Sequence, residues 1–147
     1  MSRTHMLAWA AGFFDGEGYV TIQERNSLMN GKRYRGYYLR VGISHVAPEP
    51  LYEMQKLFGG QIRVEKRERR KKDNYDRKDI HKWTLSTVQA KEALIQMMPY
   101  FINKNNVAEL GIDFQNTFTG KVYKVSEEVQ DQRKWFKEEI TRLNSLD

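Results

Sequence analysis

At 147 residues the chain is sized for one domain over 1–147, long enough to bury a sizeable core. It has no cysteine, which excludes a disulfide framework and a cysteine-based zinc site. With no long apolar run and no signal-peptide pattern, a soluble, intracellular protein without a membrane partner is expected. The formal net charge of +6 points to a polyanionic partner rather than a small-molecule substrate. That charge is concentrated: Gln61 to Lys82 holds ten Lys/Arg against five Asp/Glu, so one segment carries +5 of the total.

A first helix is expected from about Thr4 to Phe14. Its run Leu7-Ala8-Trp9-Ala10-Ala11-Gly12-Phe13-Phe14 is apolar all round, so it should be buried on more than one side. Ala8, Ala11 and Gly12 share a face at i, i+3, i+4 spacing and would let a second backbone approach closely. Leu7, Ala10 and Phe14 point into a local core. The helix then meets Asp15-Gly16-Glu17-Gly18, two carboxylates and two glycines where it must stop. Carboxylates delivered to a seam between two cores need a cation or hydrogen bonds.

Alternation follows. Val20 and Ile22 read as inward, Thr21, Gln23 and Arg25 as outward. A turn near Met29-Asn30-Gly31-Lys32 closes a hairpin. On its return strand Tyr37, Leu39, Val41 and Ile43 alternate with Tyr38, Arg40, Gly42 and Ser44. Pro48-Glu49-Pro50 opens a second helix through Leu51, Met54, Leu57 and Phe58, ended by Gly59-Gly60. A second strand pair has Ile62, Val64, Trp83 and Leu85 inward, with Arg70 to Lys78 as a mobile tip. Ser86-Thr87-Val88-Gln89 reads as a capping box for a third helix to about Met98, which Pro99 breaks. A fourth helix is expected from about Lys104 to Phe118. The last starts at Ser126-Glu127-Glu128, whose acids suit its N-terminal dipole end. The order is α-β-β-α-β-β-α with further helices, an α+β fold.

The string Ala10 to Gly18 closely resembles the signature of the LAGLIDADG homing endonucleases. Ala11, Gly12, Asp15 and Gly18 match it outright. Phe13 and Phe14 replace aliphatics, Gly16 replaces Ala, and Glu17 replaces Asp at the metal-binding position. The last change keeps a hard oxygen ligand on an arm one methylene longer. The resemblance implies the αββαββα fold, with an antiparallel, saddle-shaped sheet, helices on one face and double-stranded DNA on the other. With a single motif, it implies a homodimer through helix 1 at Ala8, Ala11, Gly12 and Asp15, and a near-palindromic target. Asp15 would cap and tie the paired helices. The runner-up is a non-cleaving binder on the same scaffold, an RNA maturase or a DNA-binding regulator.

Phosphodiester hydrolysis needs an activated water, neutralised phosphate charge and a stabilised leaving oxygen, which carboxylate-held divalent metals provide. Glu17 and the Gly16 carbonyl are the expected ligands of Mg²⁺ or Mn²⁺, with Ca²⁺ as a non-catalytic substitute. Lys104 sits in a segment, Pro99 to Lys104, that resembles the one supplying an active-site lysine; otherwise it is an ordinary exposed lysine. His45 stands where relatives carry a water-orienting polar residue; otherwise it is a surface histidine at a strand end. Nearby, Glu49 replaces a basic residue of some relatives. Thr21, Gln23, Arg25, Tyr38, Arg40, Arg63, Glu65, Arg67, Arg69, Lys82 and Thr84 share the outward parity expected of a base-reading face. Lys66, Arg70, Lys71, Lys72 and Lys78 are placed for phosphates, and Arg33 and Arg35 extend the expected DNA-binding set along the first hairpin.

Overall fold

The computed structural model describes residues 1–67, 78–118 and 126–146. The first helix, α1 (Arg3–Glu17), begins at Ser2, whose hydroxyl accepts the His5 N–H at 3.2 Å. It runs one turn past the expected end and includes Asp15, Gly16 and Glu17. It stops at Gly18, whose N–H bonds the Phe14 carbonyl and where a Cβ would lie 2.5 Å from the Phe14 ring. Glycine's weak helix propensity at Gly16 is overridden by tertiary anchoring of the turn at Asp15.

Strands β1 (Gly18–Met29) and β2 (Lys32–His45) form a long ribbon joined by Asn30 and Gly31, both at positive φ. After α2 (Glu49–Phe58) come β3 (Gln61–Glu65) and β4 (Ile80–Ser86). The four strands are antiparallel in the order β1-β2-β4-β3. Then follow α3 (Thr87–Met97), a 3₁₀ turn at Met98–Tyr100, α4 (Asn105–Asn116) and α5 (Glu127–Asn144). The expected order is therefore borne out.

Val20, Ile22, Leu39, Val41, Ile43, Trp83 and Leu85 line one sheet face and bury against Phe14, Met54, Leu94, Phe114 and Ile140 of the helices. The opposite face carries no helix among the described residues. α5 extends the layer along the β1 edge, where the Asn144 amide donates to the Val20 carbonyl at 3.0 Å and Lys137 pairs with Glu24 at 2.9 Å. That hydrogen bond from Lys137 holds the Glu24 carboxyl below its ordinary range.

Two local expectations are corrected. Ser86 occupies the N-cap of α3 but its side chain makes no capping bond, and Thr87 takes φ 52°. Ser86 is also the last residue of β4, paired with Arg40, so the chain must turn from ladder to helix within one residue. Val64 is 53% exposed rather than inward. It lies on the five-residue edge strand, where only its neighbour Ile62 packs against the core. Among the described residues no helix is long and apolar enough to cross a membrane.

Candidate active site and nucleic-acid interface

Cross-strand pairing puts the outward residues into one surface. Thr21 pairs with Arg40, Gln23 with Tyr38, Gly42 with Thr84, and Lys82 with both Ser44 and Arg63. At its centre Tyr19 lies across Gly42, where a Cβ would sit 2.5 Å from the Tyr19 hydroxyl and 2.6 Å from the Trp83 carbonyl. A side chain there would collide with the Tyr19 ring and with the Trp83 carbonyl. Tyr19 was missed as a surface residue of this face, although it shares the parity of Thr21 and Gln23 and stands opposite a glycine.

Polar contacts organise the face. The Tyr38 hydroxyl donates to Gln23 Oε1 at 2.7 Å, Arg40 Nη1 donates to the same oxygen at 3.4 Å, and the Arg25 guanidinium lies 4.8 Å from the Tyr38 ring centroid. Among the described residues, the Thr21 hydroxyl and Arg40 Nε are buried without partners. Lys82 pairs with Glu65 at 2.6 Å, and this bond holds the Glu65 carboxyl below its ordinary range. Glu65 is thus an internal counter-ion on a cationic face, and an exposed pair of this kind contributes little stability.

Arg33 and Arg35 fall on the other face. Their partners Leu28 and Asn26 share the parity of Val20 and Ile22, and Arg35 lies 3.6 Å from Glu24. The two-residue repeat decides this: the register puts them in line with Tyr37 and Leu39 rather than with Tyr38 and Arg40. Lys66 and Lys78 are exposed. Arg69, Arg70, Lys71 and Lys72 lie outside the described residues.

The end of α1 forms a corner beside this face. A cleft of about 250 Å³ is lined by Glu17, Ser44, His45, Val46, Arg67 and Ile80. Glu17 and His45, separated by 28 positions in the chain, both line this cleft. Arg67 joins them, with its N–H donating to Asp79 Oδ1 at 3.3 Å. Its parity marks it for the open face, but only the path of the chain leaving β3 carries it to this corner. It supplies a cation where Glu49 failed to.

His45 Nδ1 lies 3.0 Å from the Ala47 amide nitrogen and 3.1 Å from the Ala47 carbonyl oxygen, so the backbone two residues on holds the ring in place. The ring packs edge-on against Phe13 at 5.6 Å, and Phe13 stacks on Trp9 at 5.5 Å.

Asp15 caps a second helix of its own chain. Its carboxylate accepts the N–H groups of Ile102 at 2.7 Å, Asn103 at 3.3 Å and Lys104 at 3.0 Å, all in its own chain. α4 has no side-chain cap from its own N-cap residue, Lys104, and Asp15 supplies the anion at that end. Lys104 is thereby anchored by its backbone to a residue two positions from Glu17, although its side chain does not line the Glu17–His45 cleft.

The small-residue face of α1 also divides. Ala8, Gly12 and Gly16 are exposed at four-residue spacing, beside Trp9 at 38%, and a Cβ on Gly12 or Gly16 would meet nothing within 4 Å. Ala11 is instead fully buried in its own chain's core. An i, i+3 relation places it a step around the helix from Ala8, and the sheet takes that side.

Among the described residues no three His, Cys, Asp or Glu cluster as a metal site. One chain offers Glu17, exposed on the last turn of α1, with no basic residue in that turn and an open flank at Gly16. A carboxylate added to the negative end of a helix dipole builds a potential that suits a cation. Glu17 and the Gly16 carbonyl are hard oxygen donors of the kind a divalent cation takes.

A sheet open on one face, with helices on the other and carboxylates at the end of the first helix, is the α+β fold of the LAGLIDADG homing endonucleases. The chain is similar to the homing endonuclease I-CvuI in complex with its target in the presence of calcium, with a TM-score of 0.68 and 16% identity over 95% of this chain and 82% of that one. It is similar to the archaeal intron-encoded homing endonuclease I-Vdi141I complexed with DNA, with a TM-score of 0.71 and 13% identity over 97% and 86%. It also resembles the LAGLIDADG homing endonuclease I-LtrWI bound to target DNA, at TM-score 0.58 and 20% identity, covering 89% of this chain but 42% of that one. No protein-family model and no curated protein matches the sequence, so the motif and the fold carry the relationship.

Proposed function

We propose that the chain is a site-specific double-strand DNA endonuclease that works as a two-fold homodimer with a divalent metal. One observation carries this reading: the end of α1 combines an exposed carboxylate, an unpartnered small-residue stripe and the margin of a polar, cationic sheet face. One Glu17 per chain serves one strand, and a two-fold copy supplies the second. The coverage of 82% of I-CvuI but 42% of I-LtrWI supports one copy of this chain as half of a full saddle.

In this reading Glu17 and the Gly16 carbonyl of each copy hold Mg²⁺ or Mn²⁺ at the seam. When bound, the metal neutralises phosphate charge and activates water. His45 lines the cleft and orients water or a phosphate oxygen. Arg67 adds positive charge against the phosphate. The sheet face fixes the register of the duplex, with Arg and Gln reading base edges in the major groove.

The test is incubation with a randomised DNA library and Mg²⁺, then sequencing of the ends. Paired cuts within one near-palindromic site are expected. Specific binding with no cut ends would replace this reading with that of a non-cleaving binder.

Lys104→Met is expected to slow single-turnover cleavage while changing affinity little. A cation at a helix start opposes the dipole by about 0.3–1 kcal/mol unless an anion is near. Asp15 provides that anion for the backbone, and the scissile phosphate would provide it for the side chain. Weaker binding at an unchanged rate would make Lys104 a phosphate anchor. DNA affinity is expected to fall by about a thousandfold or more between roughly 50 and 200 mM salt, as counterions are released from six or more phosphates. A flat salt dependence would mean that the basic segment is only a solvated face.

A further inference from the structure

We infer that Gln23 and Arg40 together read guanine, and that Tyr38 makes this so by occupying the acceptor half of the Gln23 amide. The inference rests on the DNA-binding reading above and deepens it. A free glutamine amide offers one acceptor and one donor group side by side, which matches adenine N6 and N7 in the major groove. Gln23 is not free in that sense. Its Oε1 accepts from the Tyr38 hydroxyl at 2.7 Å and from Arg40 Nη1 at 3.4 Å.

The orientation of the amide follows from chemistry. Guanidinium nitrogens are donors only, so the amide atom facing Arg40 must be the oxygen; a flipped amide would set donor against donor. The nitrogen therefore points away from Tyr38 and Arg40, and among the described residues it donates to no partner. Gln23 and Arg40 border the same depression of the sheet face as Tyr19, Arg63, Glu65, Lys82 and Thr84, the Glu65 carboxylate being paired with Lys82 at 2.6 Å. What Gln23 and Arg40 themselves offer a base edge is donors alone: the Gln23 amide nitrogen and the terminal guanidinium N–H groups of Arg40, its Nε being buried.

Guanine presents two adjacent acceptors, O6 and N7, in the major groove. Adenine presents one acceptor and one donor there. Donors alone fit the first edge and leave the adenine N6 amino group facing a like group. Tyr38 is the positioning residue, since its hydroxyl makes the shorter of the two bonds that occupy Oε1.

The experiment is binding-site selection from randomised duplex DNA with three proteins: wild type, Gln23→Ala and Tyr38→Phe. Gln23→Ala identifies the base pair read at this point as the one whose preference it weakens most, Arg40 remaining in place. Wild type is expected to select a G·C pair there over A·T by about tenfold or more, as one good pair of groove contacts discriminates. Tyr38→Phe releases the acceptor, so the preference at that same pair is expected to relax toward A·T while the rest of the site stays unchanged. A merely structural role for Tyr38 would degrade the whole site instead and would overturn the assignment to it. Selection of A·T by wild type, or no position altered in Gln23→Ala, overturns the inference while leaving DNA binding standing. Failure of wild type to select any sequence overturns the DNA-binding reading itself, and the inference with it.

Discussion

Glu17→Gln is expected to abolish cleavage, by about a thousandfold or more, and to leave DNA affinity close to that of wild type. The substitution keeps the size and reach of the side chain and removes one negative charge. Glu17 is exposed at the end of α1 and takes no hydrogen bond among the described residues, so the fold should not notice the change. The metal would lose its charged ligand on each copy, leaving a neutral amide and the Gly16 carbonyl. A thousandfold corresponds to roughly 4 kcal/mol of transition-state stabilisation, which is within what a Lewis-acid metal supplies. In the proposed reading binding draws on the sheet face, which the variant leaves intact. Because the loss should fall on rate and not on affinity, single-turnover cleavage and equilibrium binding are measured side by side. Near-normal cutting by Glu17→Gln would remove Glu17 from the metal site.

Gly12→Leu is expected to separate the dimer while leaving the single chain as stable as wild type or more so. Nothing lies within 4 Å of the position its Cβ would take, so the monomer has room for the side chain. Glycine in a helix interior costs about 0.8–1.0 kcal/mol relative to a good helix former, so replacing it should strengthen α1. At a two-fold seam the same side chain enters twice, and overpacking costs about 1–3 kcal/mol per site. With two such sites per dimer, the dissociation constant should therefore rise by about thirtyfold to ten-thousandfold. Thermal unfolding at low concentration reports the first effect and sedimentation the second. A wild-type monomer at micromolar concentration would contradict the assembly. A Gly12→Leu protein that remains dimeric would move the seam away from α1.

The opposite signs make this result informative. A glycine kept mid-helix with open space beside it has no packing reason inside one chain. Ala11 behaves differently, because it is already fully buried. Enlarging it should unfold the monomer, and a loss of dimer in that variant would say nothing about the interface.

The sequence alone determined the element order, the open and covered faces of the sheet, and the carboxylate corner. Period-two alternation fixed which of Thr21, Gln23, Val20 and Ile22 face outward, because a strand has only two faces. An all-apolar helix running into Asp-Gly-Glu-Gly marked α1 because soluble helices seldom lack a polar side. Turn chemistry located Asn30-Gly31, and the serine before two acids located the start of α5, where the Ser126 hydroxyl accepts the Val129 N–H at 3.3 Å. These signals are local, so they survive without knowledge of neighbours.

Only the tertiary structure decided the rest. Asp15 caps residues more than eighty positions away, and no spacing rule connects it to Ile102 or Lys104. Arg67 meets Glu17 and His45 because the chain leaving β3 passes that corner, while Glu49, close to His45 in sequence, contributes no charge to the cleft. The Gln23 acceptor is spent because hairpin register sets it opposite Tyr38, and Glu65 neutralises Lys82 across a strand pair formed from separate segments. Residue type and parity give each side chain a face. Which donor meets which acceptor on that face depends on contacts that the folded chain alone brings together.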